Sequence, residues 1–250
     1  MLLRCRFPMP KTTQRLKSRT ALITGASRGI GLAIARKFAQ QGCNLIIAGR
    51  DDKSLRQVSR ELLRLKIRVL AACCDVRDRH SVDALFRSIP REFPRIDILI
   101  NNAGIAHPNL PIDKLPFPVW KDVFATNADG MFLVTQAALP LMKNGATIVN
   151  NLSIAATRVF PGSAAYNASK HAARGFTNTL REELRPRGIR VIGLEAGASD
   201  TEIWKTLWPQ APRRKMMSAE TVAEAVLAAV LVPPNATMET IEILPSVGML

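Results

Sequence analysis

Short, nearly unbroken apolar runs recur along this chain, separated by longer stretches whose apolar positions return every three or four residues. The runs are Thr20–Thr24, Asn44–Ala48, Arg68–Ala72, Ile96–Ile100, Thr147–Asn150, Ile189–Leu194 and Thr240–Leu244. A strand covered on one face alternates apolar with polar positions; one covered on both faces has no need to, so these runs read as buried strands. The stretches between them read as helices. One runs from Leu32 to Gln41 with Gly42 as its C-cap, and others cover Asp51–Lys66 and Ser81–Phe93. A proline-rich connection then enters a long helix from Val119 to Met142; a helix with Ser163 as its N-cap ends near Gly188, and Ala219–Leu231 closes the series. Strands alternating with helices predict an α/β chain, a single doubly wound domain with a parallel seven-stranded sheet.

Composition narrows the function classes. The 250 residues are 47% hydrophobic and 22% charged, ordinary for one globular domain. No apolar run approaches the roughly 20 residues a membrane-spanning helix needs, so no membrane role is expected. The four cysteines have no framework spacing and read as reduced thiols, which suits the cytoplasm; no Cys/His cluster has metal-ligand spacing. The net charge of +15 raises nucleic acid as a partner. Six of those cations stand in an acid-free first twenty residues, however, leaving +9 over the other 230. Without aromatic interleaving or a recognition helix, no nucleic-acid binding is expected. Residues 1–18 read as a basic, disordered leader, with Met9 as an alternative start and a mitochondrial transit peptide as the second reading. Residues 19–250 then form the domain, with a substrate lid over about 199–217.

Two stretches carry chemistry on their spacing. After the first strand comes Gly25-Ala-Ser27-Arg28-Gly29-Ile30-Gly31, opening a helix. Strand, glycine-rich turn and helix N-terminus together present free backbone N–H groups and a positive helix end to a pyrophosphate, as in a Rossmann domain. An NAD site places an acid roughly 20 residues past the glycines. Here Gly49 and Arg50 stand there instead, and with Arg28 they point to NADP(H) over NAD(H), although Asp51 follows one residue later. The second stretch is Tyr166-Asn-Ala-Ser-Lys170, which holds the only tyrosine of the chain. Four residues apart on a helix, the two side chains share a face, and a neighbouring ammonium is expected to lower the pKa of the phenol.

Six motifs in order then carry a resemblance: Thr24 to Gly31, Asp75-Val76, Asn101-Asn102-Ala103-Gly104, Asn127, Ser153, and Tyr166 with Lys170. From Thr20 to Leu244 the chain resembles the short-chain dehydrogenase/reductase family. The resemblance implies an NADP(H)-dependent oxidoreductase acting on a small-molecule carbonyl or alcohol, working as a homodimer or homotetramer. It implies that Tyr166 exchanges a proton with the substrate oxygen, that Lys170 tunes it and reaches the nicotinamide ribose, and that Ser153 hydrogen-bonds the same oxygen. Asn127 would hold a water in a proton relay, Asp75 and Val76 would meet the adenine, and Asn102, Ala103 and Gly104 would pass beside the cofactor. After the sixth strand the family's Pro-Gly is here Ala196-Gly197, with Thr201 retained. This predicts a looser turn beside the nicotinamide. In the lid, Trp204, Trp208, Met216 and Met217 are candidates for an apolar pocket, and Arg213, Arg214 and Lys215 for attracting an anion. A 3-oxoacyl-thioester reductase is the alternative within the family, although the ending Leu244–Leu250 lacks the paired glycines of that type. A protein that senses NADP(H) without turnover is the alternative outside catalysis; it would have no need of the catalytic set.

Overall fold

Along each central strand, successive side chains enter two different cores. Ala21 and Ile23, Leu45 and Ile47, and Ile98 and Ile100 join one cluster, while Leu22, Ile46 and Leu99 join another on the opposite face. This is the period of two expected of a sheet covered on both sides, and it explains why the strand sequences read as unbroken apolar runs. The structure, a computed structural model, describes residues 14–249. In chain order these form β1 (Thr20–Thr24), α1 (Gly29–Gln40), β2 (Asn44–Gly49), α2 (Asp52–Leu63), β3 (Val69–Cys73), α3 (Arg79–Ser88), β4 (Ile98–Asn101), α4 (Phe117–Phe124), α5 (Gly130–Ala138), β5 (Thr147–Asn151), α6 (Ala164–Leu184), β6 (Arg190–Ala196), α7 (Trp204–Leu207), α8 (Ala219–Val230) and β7 (Thr240–Ile243).

All seven strands are parallel, in the order β3-β2-β1-β4-β5-β6-β7. Helices α1 and α8 pack over one face, where Phe38, Ile34, Val222 and Val226 are fully buried. Full burial of a side chain such as Phe38 contributes about 1.5–3 kcal/mol. Helices α3, α5 and α6 cover the other face through Val82, Leu85, Val134, Leu180 and Leu184. The chain builds outward from β1 to β3 and then crosses back to lay β4 beside β1. The crevice beyond the carboxyl ends of β1 and β4 is therefore the switch point where such sheets bind ligands.

Several elements differ from the sequence expectation. The expected long helix is three pieces: α4, a π-helical turn over Ala125–Asp129, and α5. At its far side Gly130 lets the chain meet β3's exit loop, because a Cβ there would lie 2.6 Å from Val76 Cγ2. Helix α1 starts at Gly29, inside the glycine-rich turn. Ser163 precedes α6, yet its side chain does not cap the helix. Leu16 is fully buried and its N–H bonds Gln41 O at 3.0 Å, so residues just ahead of residue 19 already pack on the domain. The leader reading for residues 1–13 lies outside the described residues. Among the described residues no helix is long and apolar enough to cross a membrane.

Candidate active site

The turn after β1 is tied to the loop after β4. The Thr24 hydroxyl oxygen accepts from the N–H groups of Asn102 (3.0 Å) and Ala103 (3.1 Å), and the Asn102 amide donates to Thr24 O (3.1 Å) and Gly25 O (3.2 Å). Gly25 sits at φ +64°, and a Cβ there would meet Ala103 Cα at 2.9 Å. Glycine is required on both counts. Helix α1 then begins with Arg28 as N-cap, with no side chain bonded to its first N–H groups and no acid in its first turn. Those donors and the positive helix end face the crevice uncapped, which fits a pyrophosphate.

Arg28 and Arg50 are both exposed on the crevice, and among the described residues neither has an ion-pair partner. Asp51, the acid that could have served a ribose, caps α2 instead, accepting from Ser54 N (3.1 Å) and Ser54 Oγ (2.5 Å). Those bonds hold its carboxyl below its usual pKa. Two free guanidiniums beside a committed carboxylate fit the extra phosphate of NADP(H). Asp75 also lines the crevice, gripped by Arg77 at 2.7 Å, and that hydrogen bond keeps its carboxyl ionised below the ordinary range.

The three reactive side chains meet on the other side of the switch point. Ser153 leaves the end of β5, and Tyr166 and Lys170 stand one turn apart on α6. Lys170 is buried, and its ammonium donates to Asn151 O at 2.8 Å. Burial pushes its pKa down to about 8. The expected lowering of the Tyr166 pKa is not what the geometry produces. The Lys170 Nζ lies 5.7 Å from the centre of the phenol ring, over its face. Enclosure at the crevice floor raises the phenol pKa, and the Ser153 hydroxyl partly offsets this. Desolvation therefore sets the direction of the shift.

Asn127 is buried one layer behind, inside the π-helical turn. Its side chain is matched on both edges to the backbone of Ile105, accepting from the N–H and donating to the carbonyl, each at 2.9 Å. It also donates to Ser169 Oγ at 3.0 Å, and Ser169 donates to Tyr166 O at 2.8 Å. A π-bulge often marks a functional position, and this one fastens the loop after β4 to the catalytic helix.

The crevice holds about 1050 Å³, room for a dinucleotide and a small substrate. Of the residues singled out by sequence, Gly25, Ser27, Arg28, Gly29, Ile30, Arg50, Asp75, Val76, Asn102, Ala103, Gly104, Ser153, Tyr166, Lys170, Gly197 and Thr201 line it; Gly31 and Asn127 support it from behind. Asn151, whose carbonyl seats Lys170 and whose amide donates to Asn102 Oδ1 at 2.9 Å, escaped the sequence reading. Its use of a backbone carbonyl leaves no mark on residue type. Nor did the sequence point to Asn109, or to the bond by which Ser163, read there as an N-cap, joins it to close two loops.

Around the lid the picture is mixed. Trp204 and Trp208 line the crevice, whereas Met217 is buried in the core beneath and Met216 lies off the lining. Arg213 bonds Asp200 and Thr201 O rather than facing the opening. The turn at Ala196 is pinned, not loose. Gly197 N–H donates to Ile243 O (2.8 Å), Ser199 bridges Met217, and the Trp204 indole donates to Ser199 O (2.8 Å).

Comparison with known proteins agrees with this geometry. Residues 19–212 match the family model described as short chain dehydrogenase. A sulfoacetaldehyde reductase of Chromohalobacter salexigens is 35% identical over 236 residues, covering 90% of this chain and 93% of the relative. An NADP-dependent 3-hydroxy acid dehydrogenase of Escherichia coli is 32% identical over 239 residues, covering 90% and 94%. The closed form of a serine dehydrogenase complexed with NADP+ has a TM-score of 0.85 at 31% identity, covering 92% of this chain and 96% of that one. With a crevice at the switch point, a Ser–Tyr–Lys set on its floor and a match over most of its length, this chain belongs to the short-chain dehydrogenase/reductase family.

Proposed function

We propose that this protein is an NADP(H)-dependent carbonyl reductase, interconverting a ketone or aldehyde and the corresponding alcohol. The observation that carries the reading is the meeting of Ser153, Tyr166 and Lys170 on the floor of a crevice whose far end holds Arg28 and Arg50, neither in an ion pair among the described residues. When bound, the nicotinamide supplies or takes the hydride. The chain supplies the rest. Arg28, Arg50 and the first N–H groups of α1 hold the phosphates, and Gly104, Gly197 and Thr201 flank the nicotinamide end. Ser153 donates a hydrogen bond to the substrate oxygen, where charge develops during reduction. Tyr166 gives that oxygen its proton; its raised pKa keeps the phenol protonated at neutral pH, the form reduction needs. Lys170 stays cationic below about pH 8 and stabilises the phenolate left behind. Asn127 holds the relay by which Lys170 reaches solvent.

NADP appears in the names of two of the relatives above, which supports the cofactor assignment. A homodimer or homotetramer through α4, α5 and α6 is supported by the exposure of Phe117 and Phe132 on those helices. Free Cys43, Cys73 and Cys74 support a reducing compartment, the cytoplasm.

The test is initial rates with NADPH and NADH against ketones, aldehydes, quinones and 3-oxoacyl thioesters. Turnover with NADPH should exceed that with NADH at least tenfold in kcat/KM, and Tyr166→Phe should lower kcat by about 10²–10⁴. Absence of NADPH oxidation across the panel, or full activity in Tyr166→Phe, would refute the reading.

A further inference from the structure

The crevice changes character at the switch point. The turns after β1, β2 and β3 bring Arg28, Arg50, Asp51 and Asp75 to one half. The loops after β4, β5 and β6 form the half that faces Ser153 and Tyr166. There, among the described residues and apart from Lys170, the charged side chains on the lining are Glu202 and Lys205, and these pair with each other at 2.5 Å. Arg213 is engaged by Asp200, and Arg214 and Lys215 lie off the lining. The walls are Ile105, Ala155, Phe160, Leu207, Trp204 and Trp208. An anionic group entering this half would lose water against apolar walls and, apart from the buried Lys170, meet no cation free of a carboxylate among the described residues, which is costly.

Several neutral polar side chains interrupt those walls, Thr126, Asn151, Ser199, Thr201 and Thr206 among them, and one pair joins two loops. Ser163, buried, donates through its hydroxyl to Asn109 Oδ1 at 2.8 Å. Leu110 N–H donates to Gly162 O at 2.9 Å, so the loops after β4 and β5 are clasped together. With its oxygen held, the Asn109 amide presents an NH₂ group that has no partner among the described residues. Asn109 is exposed and lines the same crevice as Tyr166.

We propose that the substrate is an uncharged carbonyl compound with apolar flanks and a second neutral acceptor oxygen, such as a 3-oxo ester or a diketone, and that the Asn109 amide reads that second oxygen. The substrate class departs from the anionic ones named for the sulfoacetaldehyde and 3-hydroxy acid relatives. The proposal rests on the carbonyl-reductase reading above.

The decisive comparison is ethyl 3-oxobutanoate against freshly prepared 3-oxobutanoate, with sulfoacetaldehyde as a second anion, all under saturating NADPH. The ester should exceed both anions at least tenfold in kcat/KM. Asn109→Ala should lower kcat/KM for the ester fivefold to tenfold more than for 2-pentanone, which has a single oxygen. Loss of the loop clasp alone would lower both alike and would overturn the role of Asn109. Lys205→Met should leave the ester-to-acid ratio unchanged within twofold; a ratio that rises because acid turnover is lost would make Lys205 an anion ligand and overturn the substrate class. Acid turnover equal to or above that of the ester would overturn it as well. If neither is turned over while NADPH binds, read by quenching of tryptophan fluorescence, the substrate class fails; if 2-pentanone and the rest of the carbonyl panel are inert as well, the carbonyl-reductase reading itself fails, an outcome distinct from acid preference.

Discussion

Ser153 stands at φ +72° and ψ +157°, backbone territory almost reserved for glycine and costing roughly 1–3 kcal/mol elsewhere. It is held there by a two-against-one pairing: the carbonyl of Leu194 accepts from both Leu152 N (2.8 Å) and Ser153 N (3.1 Å). The local bend that results aims the hydroxyl at Tyr166. Ser153→Gly should therefore raise stability by about 1 kcal/mol in urea unfolding while kcat falls about 100-fold or more. Lys170 stores a second local cost. Its pKa is about 8 in the fold against 10.5 ordinarily, so the folded chain releases this proton first. The penalty is complete below pH 8 and disappears as pH rises from 8 towards 10.5. Lys170→Met should be more stable than the parent by roughly 2 kcal/mol at neutral pH, after the lost bond to Asn151 is counted. Thermal melts across pH 6–11 check this; the gap should close near pH 10.5 and activity should be absent throughout. The residue types and the distance from Ser153 to Tyr166 were legible in the sequence. The strain at one and the desolvation of the other were not, because both come from what packs around them.

At the scale of elements, the opening of α1 and the π-helical turn do the positioning. A Cβ at Gly31 would lie 2.4 Å from both Asn102 Nδ2 and Gly25 O, so this glycine lets the first helical turn close on the loop after β4. Gly31→Ala should cost about 1–3 kcal/mol. It should also raise KM for NADPH at least tenfold, and the shift in melting temperature produced by NADPH should shrink accordingly. The glycines pointed to this turn only together with the alternation of strands and helices, since glycines after a strand often just make a tight turn. The break between α4 and α5 was silent. Ala125–Asp129 holds neither proline nor glycine, and the backbone of Ile105 that receives Asn127 lies 22 residues earlier. A helix whose irregularity is imposed by a distant loop reads in sequence as a regular one.

For the molecule as a whole, β1 and β2 pair in register from Thr20 with Asn44 to Thr24 with Ala48, and this pairing brings Arg28 and Arg50 to one end of the crevice. Replacing both by alanine should raise KM for NADPH about 100-fold and leave KM for NADH within threefold. Wild-type NADPH affinity should fall as salt screens these exposed charges, and the double variant should lose that dependence. The sequence by itself determined what depends on short-range order: strands buried on both faces, helices between them, the glycine turn, and the Tyr166–Lys170 spacing. These follow from periodicity and backbone sterics within a few residues. Only the tertiary structure decided which polar groups are spoken for and what burial does to the rest. It committed Asp51 to capping α2, seated Lys170 on the carbonyl of Asn151, raised the phenol of Tyr166 and sent Met217 into the core. Hydrogen bonds to distant segments and exclusion of water are properties of neighbours in space, and those neighbours are chosen by the order of strands in the sheet.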